Sequence, residues 1–190
     1  VGTWTGGAPY VLALSTVEPR KDLPTLVEAF DQLARRHRDL RLVIAGPDGW
    51  GSSALETAIA ACPSDVRDRI VRLGWLGDRD RAELMRQAAV LAYPSIYEGF
   101  GLPPLEAMAV GTPVVTTTAG ALPETTGGAA LLVEPGQPDQ LADALAQVLE
   151  DPSLAAELRK RGFRNAERYS WDITARDLCE LYGRAAGATA

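Results

Sequence analysis

Residues 10–45 of this chain read YVLALSTVEPRKDLPTLVEAFDQLARRHRDLRLVIA. The apolar runs at the two ends, residues 10–15 and 40–45, predict buried β-strands, and the amphipathic run 23–36 between them predicts a helix. Strands that are apolar almost throughout and alternate with helices form parallel sheets that are covered on both faces. The stretch therefore indicates a parallel α/β fold.

The same alternation continues along the rest of the chain. Further strands are predicted at residues 70–73, 90–93, 113–117 and 129–133. Predicted helices cover residues 53–61, 79–88, 104–110, 122–126, 137–150, 152–169 and 171–186. We therefore expect an α/β domain with a doubly wound parallel sheet of about six strands, whose ligand binds at the carboxyl ends of the strands.

Composition and charge exclude several classes of function. The chain has 190 residues and a net charge of −6, which argues against a nucleic acid or an anionic membrane as the partner of most of its surface. Its one histidine, His37, excludes histidine metal clusters and a Ser-His-Asp triad made by this chain alone. Cys62 and Cys179 fit no metal-ligand spacing, and we expect them to be buried, reduced thiols of a cytoplasmic protein. No apolar run approaches the roughly 20 residues that span a bilayer.

The segment YEGFGLPPLEAMA, residues 97–109, carries the strongest functional pattern. Glu98 and Glu106 stand eight positions apart, and Gly99 and Gly101 lead from the first acid to a predicted helix start. A helix start with a glycine-rich approach presents backbone N–H groups to an anion, and carboxylates accept hydrogen bonds from hydroxyls. The segment therefore predicts a site for a nucleotide sugar, although the helix dipole also favours an acid such as Glu106 in a first turn.

Two other loops follow strands at the same predicted edge of the sheet. Arg20 and Lys21 come after the first strand, where cations can neutralise a diphosphate; a solvated surface pair beside Asp22 is the alternative. Trp75 and Leu76 come after the third strand, where they flank a base or simply pack. Both loops are candidate walls of the binding site.

The sequence Asp78-Arg79-Asp80 matches the Asp-x-Asp metal signature of many sugar transferases only superficially. Asp78 is better explained as a helix N-cap, and Asp80 as an acid in the first helical turn. We therefore predict that the domain requires no metal ion and no other cofactor.

Four motifs together resemble those of one family. EPRKD at residues 18–22, EGFGLP at 98–103, EAMAVGTPVV at 106–115 and YSWD at 169–172 are similar to motifs in the C-terminal domain of retaining glycosyltransferases of family 4, once called group 1. The similarity runs from about residue 10 to the end of the chain. It implies the GT-B architecture, in which this chain forms the Rossmann-like half that binds the nucleotide-sugar donor.

The resemblance assigns roles to the charged residues and to one apolar residue. It implies that Glu98 positions the donor sugar through its hydroxyls, without acting as a nucleophile, and that Glu106 holds the ribose hydroxyls. It also implies that Arg20 and Lys21 grip the diphosphate and that the loop around Leu76 contacts the base. Glu98 is thus the residue nearest to the chemistry.

The glycine loop completes the implied site. Gly99 and Phe100 are implied in substrate binding, and the backbone N–H groups of Gly101 and Leu102 are implied in phosphate binding. The chain departs from the family pattern in one place, because many members carry Gly-Arg just after the first strand where this chain has Leu-Ser at 14–15. Arg20, further along the same loop, is expected to substitute for that arginine.

The resemblance also implies the reaction. We expect a metal-independent transfer of a hexosyl group from a UDP or GDP sugar, with retention at the anomeric carbon, in the synthesis of a cell-envelope polysaccharide. The acceptor would be held by an N-terminal domain that this chain does not contain, so the isolated chain is expected to bind the donor without transferring sugar. The full-length enzyme would be cytoplasmic, with any membrane contact at the inner face made by other parts of the protein. Two alternatives remain open, a non-catalytic nucleotide-binding module and a GT-B phosphorylase or epimerase.

We divide the chain into three parts. Residues 1–9, rich in Gly and Thr, are interpreted as the remnant of a linker, and residues 10–170 as the nucleotide-sugar-binding domain. Residues 171–190 are interpreted as a C-terminal helix. If that helix crosses to an absent N-terminal domain, its apolar side chains should be exposed.

Overall fold

The computed structural model describes residues 4–187, which form a six-stranded sheet with helices on both faces. The strands are β1 (Tyr10–Leu14), β2 (Arg41–Ala45), β3 (Ile70–Leu73), β4 (Val90–Tyr93), β5 (Val114–Thr117) and β6 (Leu131–Val133). The helices are α1 (Leu23–Arg36), α2 (Ser52–Ala61), α3 (Ser64–Arg67), α4 (Asp78–Gln87), α5 (Leu102–Ala109), α6 (Leu122–Thr126), α7 (Pro138–Glu150), α8 (Pro152–Ala166) and α9 (Trp171–Gly187).

The sheet is parallel throughout, with the strand order β3-β2-β1-β4-β5-β6. This order confirms the predicted doubly wound α/β fold. The direction of winding reverses between β1 and its neighbour β4, and at such a switch point the loops that leave the two strands diverge and open a crevice. Because Arg20, Lys21 and Glu98 lie in these two loops, the fold brings them to the edge where open α/β sheets bind ligands.

Two hydrophobic clusters cover the two faces of the sheet. Alternate residues of β1 belong to different clusters: Val11 and Ala13 pack with α1, α2 and α7, whereas Leu12 and Leu14 pack with α4 and α5. Phe30 of α1 is fully buried in the first cluster. Burying one such large apolar side chain contributes about 1.5–3 kcal/mol, so these clusters hold the helices against the sheet.

Local structure differs from the prediction at two helix starts. Helix α5 begins at Leu102, earlier than predicted, because both prolines of the segment fit its first turn. Glu106 therefore lies in the second turn, where the helix dipole acts less strongly. Gly77 precedes α4 as its N-cap residue and no capping side-chain hydrogen bond is made there, so the N-cap role predicted for Asp78 was wrong.

The N-terminal end of the described chain packs on the domain, whereas the C-terminal helix is exposed. Of the predicted linker, residues 1–3 lie outside the described residues, and Trp4 packs partly buried against the second core cluster. Within Trp171–Gly187 no residue of α9 is buried, and Trp171, Leu181 and Tyr182 are exposed. Cys179 is exposed as well and Cys62 is only partly buried, so the burial predicted for the two thiols was wrong. Residues 188–190 lie outside the described residues. Exposed apolar side chains are those expected of a helix that contacts a further domain, and the division into three parts stays a prediction.

Candidate functional site

The loop after β1 and the loop after β4 meet at the switch point. The first loop contains a short 3-10 helix, Pro19–Lys21, and Asp22 follows it with a left-handed backbone (φ 46°, ψ 43°) that leads into α1. The Ile96 N–H donates a hydrogen bond to the Arg20 carbonyl at 2.8 Å and so ties the two loops together. This arrangement brings the basic pair of the first loop beside Glu98.

Glu98 lies at the centre of a cluster of charged groups. Its Oε1 accepts hydrogen bonds from Lys21 Nζ at 2.5 Å, from Arg20 Nη1 at 2.8 Å and from Tyr93 Oη at 3.0 Å. Lys21 Nζ also donates to Tyr93 Oη. Lys21 and Glu98 expose only 7% and 8% of their surface, whereas Arg20 is exposed and its Nε donates to Glu18 Oε2 at 2.9 Å. A solvated surface pair, the alternative for these two cations, therefore does not describe Lys21.

The surroundings of Glu98 keep its carboxyl group ionised. Burial acts to raise the pKa of Glu98, but the hydrogen bond from Lys21, the nearby Ser95 hydroxyl, the positive charge of Lys21 and the hydrogen bond from Tyr93 outweigh it, and the pKa lies below its ordinary value. Burial and the negative charge of Glu98 raise the pKa of Tyr93. At neutral pH the cluster is therefore a carboxylate bound by cations, with a neutral phenol beside it.

We expect the stability that the Glu98 carboxylate contributes to be lost at low pH. Because the pKa of Glu98 is lower in the folded chain, its contribution is present above the unfolded pKa of about 4.3 and fades as the pH falls through the folded value. The measurement is the free energy of unfolding in urea for the wild type and for Glu98→Gln, from about pH 7 down to about pH 3. The difference between the two proteins should narrow on the acid side, and a difference of constant size would contradict the assignment.

The loop after β5 and the helix α6 that follows it hold the backbone of the Glu98 segment in place. The Ala121 N–H donates to the Glu98 carbonyl at 3.0 Å, and the Thr125 hydroxyl donates to the Phe100 carbonyl at 2.6 Å. Gly120 has φ 56°, and a Cβ at this position would lie 2.3 Å from the Glu98 carbonyl oxygen. No side chain fits between the two backbones at this point, so the contact requires glycine.

Gly120→Ala is expected to lower the free energy of unfolding by about 2–4 kcal/mol, since backbone strain and displacement of the Glu98 carbonyl both cost free energy. Gly128→Ala is the matched control, because Gly128 also has a positive φ of 75° but a Cβ there meets no atom within 4 Å. Urea unfolding of the two variants measures the difference. Equal losses of stability would show that backbone strain alone decides the result and that the contact with Glu98 does not.

The start of α5 has a backbone conformation that suits glycine. Gly101 has φ 101°, and a Cβ there would approach Leu122 Cδ2 to 2.8 Å, whereas a Cβ at Gly99 would meet no atom within 4 Å. The first hydrogen bond of the helix runs from the Leu105 N–H to the Gly101 carbonyl at 3.5 Å. The N–H groups of Gly101 and Leu102 therefore precede the helical ladder, as the predicted phosphate contacts require.

The side chains of Phe100 and Leu102 line a groove that Glu106 also lines. Both are exposed, and Phe100 packs edge-to-face on Tyr169 with ring centroids 5.7 Å apart and an angle of 88° between the rings. Together with Trp171 they line a groove of about 340 Å³ between the start of α5 and the start of α9. The structure thus places the Phe100 side chain in this groove rather than in the charged cluster.

A cavity of about 210 Å³ lies at the carboxyl ends of β1, β2 and β3. Leu76, the predicted base contact, lines it together with Leu14 of β1, Gly46 after β2, Arg81 of α4 and Pro103 of α5. Apolar walls with a few polar groups are the usual lining of a small-molecule site. The cavity therefore gives the loop around Leu76 a binding surface at the predicted edge of the sheet.

Glu106 pairs with a residue of this cavity and keeps one oxygen unpaired. Arg81 Nη2 lies 3.3 Å from Glu106 Oε1 and 3.6 Å from Asp78 Oδ1. Within residues 4–187 no group donates a hydrogen bond to Glu106 Oε2, although that atom is buried. A buried carboxylate oxygen without a donor costs free energy. Because Oε2 is closed to solvent in this conformation, a ligand hydroxyl would reach it only after the Glu106 side chain rotates.

The structure therefore brings the predicted charged residues together in two sets. Arg20, Lys21 and Glu98 are in direct contact. Glu106 and Leu76 are linked through an arginine of α4 that contacts the first and shares a cavity with the second. The roles that the sequence predicts for these five residues stay predictions, and the geometry defines where they would act.

Sequence reasoning missed two residues of these sets, Tyr93 and Arg81. Tyr93 is the last residue of β4, and a tyrosine that ends a buried strand carries a polar tip at the ligand edge, which was a usable signal. Arg81 lies in a charged stretch of α4 whose sequence is that of an ordinary solvated helix face. Its contact with Glu106, which identifies it as a site residue, is visible only in the structure.

The described residues contain neither a metal-ligand cluster nor a membrane-spanning helix. Nowhere in residues 4–187 do three or more His, Cys, Asp or Glu side chains form a group that could hold a metal ion. Over the same residues, none of the helices combines the length and the apolar character needed to cross a membrane. Metal independence stays a prediction.

The chain matches a family of known proteins along most of its length. The family described as glycosyl transferases group 1 matches residues 2–165. The chain is 36% identical over 171 residues to O-antigen chain mannosyltransferase B from Escherichia coli, a match that covers 89% of this chain and 43% of the relative. The chain thus spans less than half the length of that relative.

Solved structures show the same fold. Sucrose-phosphate synthase from Thermosynechococcus elongatus superposes with a TM-score of 0.85 and 30% identity, covering 95% of this chain and 46% of that protein. The C-terminal domain of the group 1 family protein LpcC from Francisella tularensis superposes with a TM-score of 0.73 and 26% identity, covering 86% of this chain and 88% of that domain. The second structure is a single domain of closely similar extent.

Proposed function

The chain belongs to the glycosyl transferases of group 1 and has the fold of one half of a GT-B enzyme, and we propose that this half binds the nucleotide-sugar donor. The complete enzyme would transfer a hexosyl group from a UDP or GDP sugar with retention at the anomeric carbon. Its acceptor would be held mainly by a second half. The mannosyltransferase named above supports a hexosyl donor.

The observation that carries the proposal is the buried pair of Lys21 and Glu98 at the switch point. A buried ion pair is seldom a net source of stability compared with apolar side chains of similar size. Such a pair at the ligand edge of the sheet is therefore better explained by binding than by folding. A diphosphate needs a cation there, and a sugar hydroxyl needs an acceptor.

The remaining groups fit the other parts of a nucleotide sugar. The carboxylate of Glu106, whose side chain is 34% exposed, suits a ribose hydroxyl, and the cavity beside Leu76 suits the base. The N–H groups of Gly101 and Leu102 suit a phosphate oxygen at the start of α5. Each proposed contact thus pairs a donor with an acceptor or an apolar wall with a ring.

The proposed chemistry follows from where charge develops. When the glycosidic bond breaks, the leaving nucleoside diphosphate gains negative charge. Lys21, Arg20 and the N–H groups at the start of α5 stabilise that charge more in the transition state than in the ground state. Glu98 positions the sugar and does not form a covalent bond to it. The proposal includes no metal ion and no other cofactor.

The test measures binding and transfer separately on this chain. Thermal unfolding with UDP, GDP and their hexose derivatives should show a rise in Tm, since a ligand at one hundred times its Kd stabilises the folded state by about 2.7 kcal/mol. The same chain should transfer no sugar to an added acceptor without the second half. Absence of any Tm rise across the panel would count against donor binding. Measurable turnover would show that this chain transfers sugar without the second half, contrary to the proposal.

A further inference from the structure

A tyrosine hydroxyl lies between the two buried charges of the site. Tyr93 is 2% exposed, and its hydroxyl accepts a hydrogen bond from Lys21 Nζ at 2.5 Å and donates one to Glu98 Oε1 at 3.0 Å. Lys21 Nζ also lies 4.7 Å from the centroid of the Tyr93 ring. Tyr93 therefore touches both members of the ion pair.

The hydrogen-bonding capacity of these groups limits what each can still bind. An ammonium group has three N–H donors. Two of those of Lys21 point to Tyr93 Oη and Glu98 Oε1, so one is left for a further acceptor. On the carboxylate, the bonds from Lys21, Arg20 and Tyr93 all end on Oε1, and Oε2 accepts none of these three.

We propose that Tyr93 is a positioning residue, whose hydroxyl fixes Lys21 and Glu98 so that the third N–H of the lysine and Oε2 of the glutamate face the donor. The inference rests on the proposed donor-binding function. Tyr93 itself does not touch the donor. It acts by restricting the orientations that the Lys21 ammonium and the Glu98 carboxylate can adopt. Without its hydroxyl, Lys21 has a second N–H free to rotate, and the Glu98 carboxylate has one fewer contact to hold its orientation.

The chain offers a matched control for this hydroxyl. Tyr10 of β1 is also a buried strand tyrosine, 3% exposed, and its hydroxyl donates to the Leu84 carbonyl at 2.6 Å. Tyr10→Phe therefore removes a buried and bonded phenol hydroxyl that contacts neither Lys21 nor Glu98. Both variants should lower the free energy of unfolding by a similar amount, so a difference in binding between them cannot come from lost stability.

The experiment compares the two variants with the wild type by calorimetry for UDP and GDP and by NMR titration for uridine and guanosine. Tyr93→Phe should weaken binding of the diphosphates by about tenfold to a hundredfold, the usual effect of losing a hydrogen bond to a charged group, and leave the nucleosides unchanged. Tyr10→Phe should change neither. Full affinity of Tyr93→Phe for the diphosphate that the wild type binds, or an equal loss for the nucleosides, would overturn the inference.

A second measurement needs no ligand. The pKa of Glu98, followed by NMR of its labelled carboxyl carbon, should rise in Tyr93→Phe, because the hydroxyl lowers it in the wild type, and should stay constant in Tyr10→Phe. A Glu98 pKa that does not respond to Tyr93→Phe overturns the positioning role. If the wild type binds neither diphosphate, the proposed function fails and the Glu98 titration still decides whether Tyr93 positions the pair.

Discussion

Glu98→Ala is expected to lower the free energy of unfolding by about 3–5 kcal/mol and to remove nearly all sugar transfer by a complete enzyme that contains this chain. The loss of stability comes from Lys21, whose side chain is 8% exposed. Of the two acceptors that its ammonium has in the cluster, only the Tyr93 hydroxyl remains in the variant. The loss of transfer comes from the missing acceptor for the donor sugar. Urea unfolding and an assay of initial rates measure the two effects.

Two further variants separate these effects. Glu134→Ala removes an exposed carboxylate that accepts a hydrogen bond from Thr118 at 3.1 Å, and it should change neither stability nor transfer. The double variant Glu98→Ala with Lys21→Met removes both buried charges, so it should recover much of the stability and none of the transfer. Transfer by Glu98→Ala near the wild-type rate would refute the site, and full stability would refute the buried pair.

The fold could be predicted from the sequence because its four central strands, β1, β2, β4 and β5, are buried almost throughout, and because the edge strands β3 and β6 are still mostly apolar. Such strands are short apolar runs, and all six were found within two residues of their ends. The 3-10 helix Pro19–Lys21 and helix α3 were missed, since three or four residues are too few to show a helical period. Local signals therefore sufficed for the architecture but not for the turn that brings Lys21 to the site.

The site could be predicted only in part, because its partners are distant in sequence. Glu98 and Lys21 were both singled out, yet the pattern placed the cation against a ligand phosphate and not against the carboxylate. Their contact spans 77 positions and depends on the order of β1 and β4 in the sheet. Tyr93 is 72 positions from Lys21 for the same reason. A single sequence does not contain that pairing.

The position of Glu106 bears on whether the helix dipole or a bound ligand explains an acid at this site. In a first turn the helix dipole would favour a carboxylate whatever its function. In the second turn of α5 that reason weakens, and the contact with Arg81 and the buried, unpaired Oε2 remain. The structural difference from the prediction thus strengthens a ligand role for Glu106.

Lys21→Met is expected to weaken binding of the nucleoside diphosphate by about a hundredfold, since a charge-assisted hydrogen bond to phosphate and the charge itself are both lost. Methionine keeps an unbranched apolar side chain in the buried position. Stability should fall less than in Glu98→Ala, because Glu98 keeps its contacts with Arg20 and Tyr93. Calorimetry with UDP and GDP, and NMR titration with uridine and guanosine, measure the effect.

Arg20→Met is the matched control for the neighbouring cation. The Arg20 side chain is 43% exposed and already pairs with Glu18, so solvent screens its charge and its loss should weaken binding by no more than about tenfold. The loss in Lys21→Met should appear for the diphosphates and not for the nucleosides, because the base cavity and Glu106 are untouched. An equal loss for the nucleosides would mean that the variant disturbs the whole site, and the diphosphate contact would then have to be assigned to other donors.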